Sequence, residues 1–186
     1  FWNNTPSEAA VTLRAMRLKS PLTAAPKRSA ELASRFDERA HQNREIVYFL
    51  QQPETHAFDL YHDYTESRPG ISTYVNLVRP GSVVSKPGGV NLDTGEELKF
   101  EVLKGDAITK ASLGVDNVTP QLEAVVFRFA PVQPGASIRL RMSETYTDSV
   151  RYALVNGELV WDRSFGRPSN TVVLPAGWAL TNSSIP

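Results

Sequence analysis

Apolar and polar residues alternate most regularly on either side of an Asn-Gly dipeptide at positions 156 and 157. This dipeptide accepts the positive φ angles of a two-residue type I′ turn, whose twist matches that of a β-hairpin. The turn places Leu154 opposite Leu159 and Tyr152 opposite Trp161, so that all four side chains share one apolar face. The pattern therefore predicts an antiparallel hairpin that packs this face, including Trp161, into a core.

The same register places Arg151 opposite Asp162 on the polar face of the hairpin. An opposite-charge pair at such a position contributes roughly 0.2–1 kcal/mol. We expect these two side chains to form an ion pair.

Short apolar or alternating runs recur from residue 44 onward, separated by turn signals. They cover residues 46–50, 57–65, 74–78, 90–92, 98–103, 122–130, 138–146, 171–174 and 178–180. Strands of this length and spacing predict a mainly β fold, an antiparallel immunoglobulin-like β-sandwich over residues 44–186.

Two of these runs carry specific expectations about burial. In the run 98–103, Leu98, Phe100 and Val102 alternate with charged residues and are expected to face the core. The run 122–130 is apolar on both faces, which is typical of a central strand.

The first 43 residues differ from the rest and predict a helical N-terminal arm. Thr5 and Glu8 have the spacing of a capping box, which favours a helix over residues 6–19. A second, highly charged stretch over residues 28–41 has few large apolar residues and also favours a helix. The arm either lies on the outside of the β-domain or docks on another subunit or protein.

Composition limits the classes of function. The chain has 186 residues, 41% of them hydrophobic, with 20 Lys+Arg, 20 Asp+Glu and no cysteine. A formal charge of zero lacks the electrostatic footprint of a nucleic-acid binder, and disulfides are excluded. No apolar run approaches the roughly 20 residues that span a bilayer, so we expect no membrane span.

Candidate catalytic groups have simpler structural interpretations. His56 and His62 would lie about 20 Å apart on a straight strand, beyond one metal site. Glu144 and Asp148 would lie about 13 Å apart, outside the window for a glycosidase pair unless a turn brings them together. Turn capping by Asp148 and an edge or inter-strand contact for Glu144 are the simpler alternatives. We predict no catalytic residues, no metal and no cofactor.

The loop after the hairpin contains the candidate contact residues Arg163, Phe165 and Arg167. Arginines beside an aromatic ring on a loop suit an anionic ligand or a partner. Alternatively, both arginines pair with nearby carboxylates and hold the connection in place. Trp178 follows a Pro-Ala-Gly turn that can present its ring outward, and it is the candidate contact for a sugar.

Three segments carry a family resemblance: a Pro-x-x-Pro-Gly turn at 131–135, the strand end Glu-Thr-Tyr-Thr-Asp at 144–148, and Leu-Pro-Ala-Gly-Trp at 174–178. Together they resemble the β-sandwich domains of uncharacterised secreted bacterial proteins. They are also similar to the N-terminal domain of glycyl-aminopeptidase-type metallopeptidases. The resemblance covers at most residues 44–186, and the zinc motif of that family belongs to a later domain. It implies an accessory module of an exported protein.

The leading hypothesis is a non-catalytic structural or protein-interaction module, extracellular or periplasmic, that forms a homo-oligomer or joins a larger envelope assembly. The alternatives are a carbohydrate- or ligand-binding module and an accessory domain of a secreted hydrolase. Sequons at Asn3, Asn117 and Asn182 give slight support to an extracellular location. A glycan is the alternative partner.

Overall fold

The computed structural model describes residues 10–14, 44–165 and 169–184, and this part of the chain is mainly β. Its strands are β1 (Ala10–Arg14), β2 (Arg44–Leu50), β3 (Ala57–Glu66), β4 (Thr73–Leu77), β5 (Val83–Asn91), β6 (Lys99–Lys104), β7 (Glu123–Arg128), β8 (Ile138–Thr147), β9 (Tyr152–Val155), β10 (Glu158–Asp162), β11 (Ser169–Val173) and β12 (Ala179–Ser183). A 3-10 helix covers Pro53–Thr55, and the short helix α1 covers Asp106–Lys110.

The described strands form three sheets. A five-stranded sheet has the order β11-β2-β3-β8-β5, a three-stranded sheet the order β4-β7-β6, and a four-stranded sheet the order β12-β1-β10-β9. Pairing is antiparallel except that β11 runs parallel to β2, and β1 runs parallel to both β10 and β12. The mainly β prediction is confirmed. The prediction of purely antiparallel sheets is wrong, because the parallel pairs join strands that are far apart in the sequence and are not connected by a hairpin turn, so the sequence contains no local signal for them.

The N-terminal arm differs from the prediction where it is described. Ala10–Arg14 form a strand between β10 and β12, so the helix predicted over residues 6–19 is wrong at these five positions. Strands on both sides supply the backbone hydrogen bonds that a helix would otherwise make internally, and such tertiary pairing overrides a weak helical preference. The rest of the predicted arm lies outside the described residues.

The hairpin of β9 and β10 has the predicted register. Leu159 pairs with Leu154, and Trp161 pairs with Tyr152. Gly157 has a φ angle of 81°, as the tight turn requires. Trp161, Tyr152 and Leu159 are buried as predicted, whereas Leu154 is 48% exposed, so the prediction that all four side chains face the core is wrong for Leu154.

The predicted ion pair of this hairpin is wrong. Arg151 donates from its guanidinium to Asp148 at 2.9 Å, although its backbone carbonyl accepts the amide of Asp162 at 2.8 Å. Asp148 also accepts the backbone amides of Val150 and Arg151, which closes the turn before β9. The carboxylate of Asp148, three residues before Arg151, is thus already held in place by backbone hydrogen bonds. The guanidinium of Arg151 therefore pairs with Asp148 and not with Asp162.

The core lies between the inner face of the five-stranded sheet, the hairpin, and the three-stranded sheet. Alternate residues of β2, β3 and β8 point inward, and Trp161 packs edge-on against Tyr48 and Phe58 at ring-centroid distances of 5.2 and 5.1 Å. The fully or nearly fully buried apolar members include Tyr48, Leu50, Phe58, Leu60, Val125, Phe127, Leu140, Met142, Tyr146, Tyr152, Leu159 and Trp161. The contacts of Trp161 with Tyr48 and Phe58 join residues about 100 positions apart in the sequence.

Strand β7 is the central strand of its sheet, as its two apolar faces predicted. Ala124, Val125, Val126 and Phe127 are all fully buried. Val125 and Phe127 face the main core, while Ala124 and Val126 pack against Ile108 of α1 in a second cluster.

We predict that Trp161→Ala lowers the free energy of unfolding by about 3–5 kcal/mol, because truncation leaves a cavity among packed rings. For a chain of this size the melting temperature falls by about 10 °C. Val150→Ala is the control, since its side chain is 84% exposed, and it should change stability by less than about 0.5 kcal/mol. Equal effects of the two substitutions in a denaturant titration would contradict the core position of Trp161.

Candidate functional site

Arg163 leaves the end of β10 and turns toward the inner face of the five-stranded sheet. Its guanidinium lies over the rings of Tyr48, Phe58 and Tyr146, at 5.6, 5.2 and 5.4 Å from their centroids. Such contacts stabilise a cation when it is partly desolvated. The structure therefore places this predicted contact residue on the aromatic core, half-buried, and not on an outer loop surface.

The other predicted contact residues have different positions. Phe165 is half-buried and packs on Tyr48 and Trp161, with ring centroids 5.5 and 5.7 Å apart. Trp178 is half-buried as well, and its indole N–H donates to the Gln52 side-chain oxygen at 3.2 Å. Arg167 lies outside the described residues. Arg163 and Phe165 thus meet around Tyr48, whereas Trp178 contacts the chain segment before β3.

A cavity of about 40 Å³ lies beneath Arg163, between β4 and the inner face of the five-stranded sheet. Its volume has room for about one to three water molecules. The polar side chains that line it are His62, Tyr74, Asn76, Glu144, Tyr146 and Arg163.

Glu144 is the buried carboxyl group of this cavity. Its side chain points inward from β8 and the residue is 3% exposed. The Asn76 amide donates to Oε2 of Glu144 and, at 2.9 Å, to the hydroxyl oxygen of Tyr146. Oε1 accepts no hydrogen bond from the residues that the structure describes. The inter-strand role predicted for Glu144 is therefore a contact between two sheets.

Burial raises the pKa of Glu144 to about 7, although hydrogen bonds from Tyr146 and Asn76 and the charge of Arg163 act in the opposite direction. A carboxyl group with such a pKa exchanges its proton near neutral pH. The cavity therefore has room for water, and its carboxyl group changes charge near neutral pH.

Asp148, the second acidic residue of the segment 144–148, caps a turn and does not line the cavity. Burial raises its pKa, but hydrogen bonds from Ser82 and Arg151 outweigh burial and lower it overall. The Ser82 hydroxyl donates to Asp148 at 2.8 Å, and the turn-capping role predicted for Asp148 is confirmed. The two carboxyl groups thus have opposite pKa shifts and different partners.

The two histidines also have separate partners. Nδ1 of His56 lies 2.8 Å from the carbonyl oxygen of Tyr152, and Nδ1 of His62 lies 3.0 Å from the hydroxyl of Tyr74. The half-buried His56 and the buried His62 thus contact different residues.

The edge of the three-stranded sheet is a second candidate site, which sequence reasoning missed. Leu98 is buried, but Phe100 and Val102 are 46% and 49% exposed, so the prediction that all three side chains are buried is wrong for two of them. Both share the face of their core-facing partners Phe127 and Val125 in β7. β6 is the edge strand of this sheet, and its hydrogen bond to β5 is made at Leu98, before Phe100 and Val102.

On the side away from β7, the backbone of β6 has no strand partner among the residues that the structure describes. Leu98 donates its N–H to Gly89 of β5 at 2.9 Å, away from β7, whereas Gly105 donates to Leu122 on the β7 side at 2.9 Å. Backbone groups of successive residues point to alternate sides of a strand. The N–H and C=O groups of Phe100 and Val102 therefore point away from β7, toward the open edge.

No family model matches the sequence, and no curated protein matches it. A two-domain M1 zinc metallopeptidase mutant bound to L-tryptophan is similar at 18% identity, with a TM-score of 0.33 over 56% of this chain and 19% of that one. A family 3a carbohydrate-binding module from the cipA scaffolding of Clostridium thermocellum is similar at 14% identity, with a TM-score of 0.23 over 64% of this chain and 99% of that one.

These two neighbours carry no argument about function, since both TM-scores are below 0.5. The chain spans about a fifth of the length of the metallopeptidase. No helix among the described residues is long and apolar enough to cross a membrane.

We predict that Glu144→Gln changes how stability depends on pH. Because burial raises the pKa of Glu144 in the folded state, its contribution to stability is present below the ordinary pKa of 4.5 and is lost as pH rises toward about 7. The free energy of unfolding of the variant relative to the wild type should therefore increase between pH 4.5 and pH 8, by up to about 3 kcal/mol. Urea titrations across this range measure the difference.

Glu96→Gln, at an exposed turn position, is the matched control. Parallel pH profiles for the wild type and Glu144→Gln would contradict the assignment.

Proposed function

We propose that this chain is a non-catalytic protein-interaction module of an exported bacterial protein, and that the open edge of β6 binds an extended strand of a protein partner. An extracellular or periplasmic location is part of the proposal and rests on the sequence resemblance. The immunoglobulin-like class of the sandwich and the boundary between the arm and the β-domain near residue 43 also stay predictions.

A single observation carries the proposal: on one short strand, β6, exposed apolar side chains are combined with backbone groups that have no strand partner within the described part of the chain. Proteins usually protect such edges with charge, proline or a bulge, because an open edge is a template for another chain. Phe100 and Val102 are both large and about half exposed. A strand added at this edge would extend the sheet β4-β7-β6 and cover both side chains.

The contributions at this edge suit a reversible interaction. Each new backbone hydrogen bond contributes about 0.5–1.5 kcal/mol net. Full burial of an apolar side chain contributes about 1.5–3 kcal/mol, so the exposed halves of Phe100 and Val102 add about 1 kcal/mol each. The loss of translational and rotational freedom offsets much of this sum. We expect moderate affinity, strengthened where the partner presents several contacts.

Charged residues of the same sheet surround the exposed apolar side chains and determine which residue pattern a partner strand would need. Arg128 forms an ion pair with Glu101, and Lys104 forms one with Glu123 at 2.9 Å. A partner strand that alternates apolar and charged residues matches this edge.

A glycan-binding module is the second candidate function, and half-buried Trp178 is the observation that favours it. The residue keeps part of its surface exposed, and its indole N–H donates to the side-chain oxygen of Gln52. Binding to a polysaccharide panel that Trp178→Ala abolishes and Phe100→Lys leaves unchanged would replace the leading proposal.

We predict that a fluorescent peptide with the sequence of residues 97–106 binds the chain, measured by anisotropy at protein concentrations where the chain sediments as a monomer. Val102→Pro should weaken binding at least tenfold, because proline removes the N–H that faces the open edge. Phe100→Lys should weaken it similarly by removing apolar contact.

Val102→Thr is the matched control, since it keeps both the β-branched shape and the N–H, and it should bind within about threefold of the wild type. Melting curves check that each variant is folded. Equal binding by the wild type and Val102→Pro would show that the edge is not the binding site.

A further inference from the structure

We infer that the cavity beneath Arg163 binds the carboxylate group of a small organic acid, held between the guanidinium of Arg163 and the buried carboxyl group of Glu144. The cavity lies at the inner face of the five-stranded sheet. This inference is therefore independent of the function proposed for the edge of β6.

Two complementary groups face this cavity without a protein partner. Oε1 of Glu144 accepts no hydrogen bond from the described residues, although the residue is only 3% exposed. Arg163 is half-buried over three aromatic rings and forms no hydrogen bond or ion pair within the described part of the chain. Because buried polar groups without partners are destabilising, a bound molecule that bonds to both groups would stabilise the site.

The charges around the cavity determine which ligand suits it. Glu144 is faced by side chains from three strands and from the segment after β10, namely His62 of β3, Tyr74 and Asn76 of β4, Tyr146 of β8, and Arg163. The guanidinium is the permanent charge among them, and it repels a cation. A monoanion neutralises Arg163 when Glu144 is protonated, whereas a dianion such as sulfate would leave a net negative charge beside the rings.

A carboxylate also matches the hydrogen-bond donors in shape. A guanidinium presents a planar fork of N–H groups that pairs with both oxygens of a carboxylate. Protonated Glu144 adds one O–H donor to the same cavity. The cavity of about 40 Å³ has room for about one to three water molecules, which corresponds to the carbon and two oxygens of a carboxylate group.

Binding should depend on the protonation of Glu144. An anion in the cavity favours the neutral acid, and an ionised Glu144 would repel the anion. Because burial raises the pKa of Glu144 to about 7, the protonated form predominates at pH 6 and is largely lost at pH 8. The dissociation constant should therefore rise about tenfold between pH 6 and pH 8.

Titration with sodium formate tests the site, with the broadening of the formate proton signal in NMR spectra as the readout. We expect saturable binding at pH 6 with a dissociation constant in about the millimolar range, as suits a ligand this small. Chloride and sulfate at matched ionic strength should displace formate at least tenfold less effectively than acetate does.

Arg163→Gln should weaken formate binding at least tenfold, because it removes the cationic fork. Arg128→Gln is the matched control, since it removes an exposed arginine of β7 outside the cavity, and it should bind like the wild type. Melting curves check that each variant is folded.

Glu144→Gln separates the titration of Glu144 from that of His62, which lines the same cavity. A glutamine amide donates a hydrogen bond as the protonated acid does, but it does not ionise. We expect this variant to bind formate within about threefold of the wild type at pH 6 and equally well at pH 8. A tenfold loss of its affinity between these pH values would overturn the role of Glu144.

Capped aspartate, N-acetyl-aspartyl amide, carries the same carboxylate on a peptide backbone. We expect it to bind more weakly than formate, because the carboxylate group alone fills the volume of the cavity. Tighter binding of capped aspartate would assign the site to an acidic side chain of a protein partner and overturn the small-acid ligand. Absence of formate broadening, or equal displacement by chloride and acetate, would overturn the site itself, while peptide binding at β6 decides the proposed function separately.

Discussion

The packing of Trp161 against Tyr48 and Phe58 is the contact on which the arrangement of the sheets depends. Trp161 belongs to the four-stranded sheet, and its two ring partners belong to the five-stranded sheet. All three residues are at most 2% exposed, so the contact is fully desolvated. Because side chains alternate between faces, a shift of one residue in the hairpin would move Trp161 to solvent and separate the two sheets.

The same inner face buries polar groups, each with specific partners. Glu66 is fully buried, and it accepts hydrogen bonds from the hydroxyl of Tyr64 and, at 2.6 Å, from the guanidinium of Arg68. Glu144 binds Asn76 beside the guanidinium of Arg163. A buried polar group without a partner is strongly destabilising, so these contacts restrict how the segments around the core can be arranged.

In the edge strand β6, the apolar pattern of the sequence does not correspond to burial in the structure. The alternation of Phe100 and Val102 with charged residues is that of a strand with one buried face, yet both residues are about half exposed. Neighbouring β7 is covered on both faces, by the main core and by α1. The apolar face of the sheet thus continues one strand beyond its cover, and this continuation is what makes the edge a candidate for pairing with another chain.

The sequence by itself determined the local features: the Asn-Gly hairpin with its register, the buried position of Trp161, the turn capped by Asp148, and the central position of β7. Each depends on interactions between residues close in sequence or on a composition that only one environment suits. Only the tertiary structure decided that Ala10–Arg14 form a strand, that Arg163 lies over the core rings, and that Glu144 meets Asn76. It also decided that Phe100 and Val102 stay exposed. Those outcomes depend on segments far apart in the chain, whose proximity no local period or turn signal encodes.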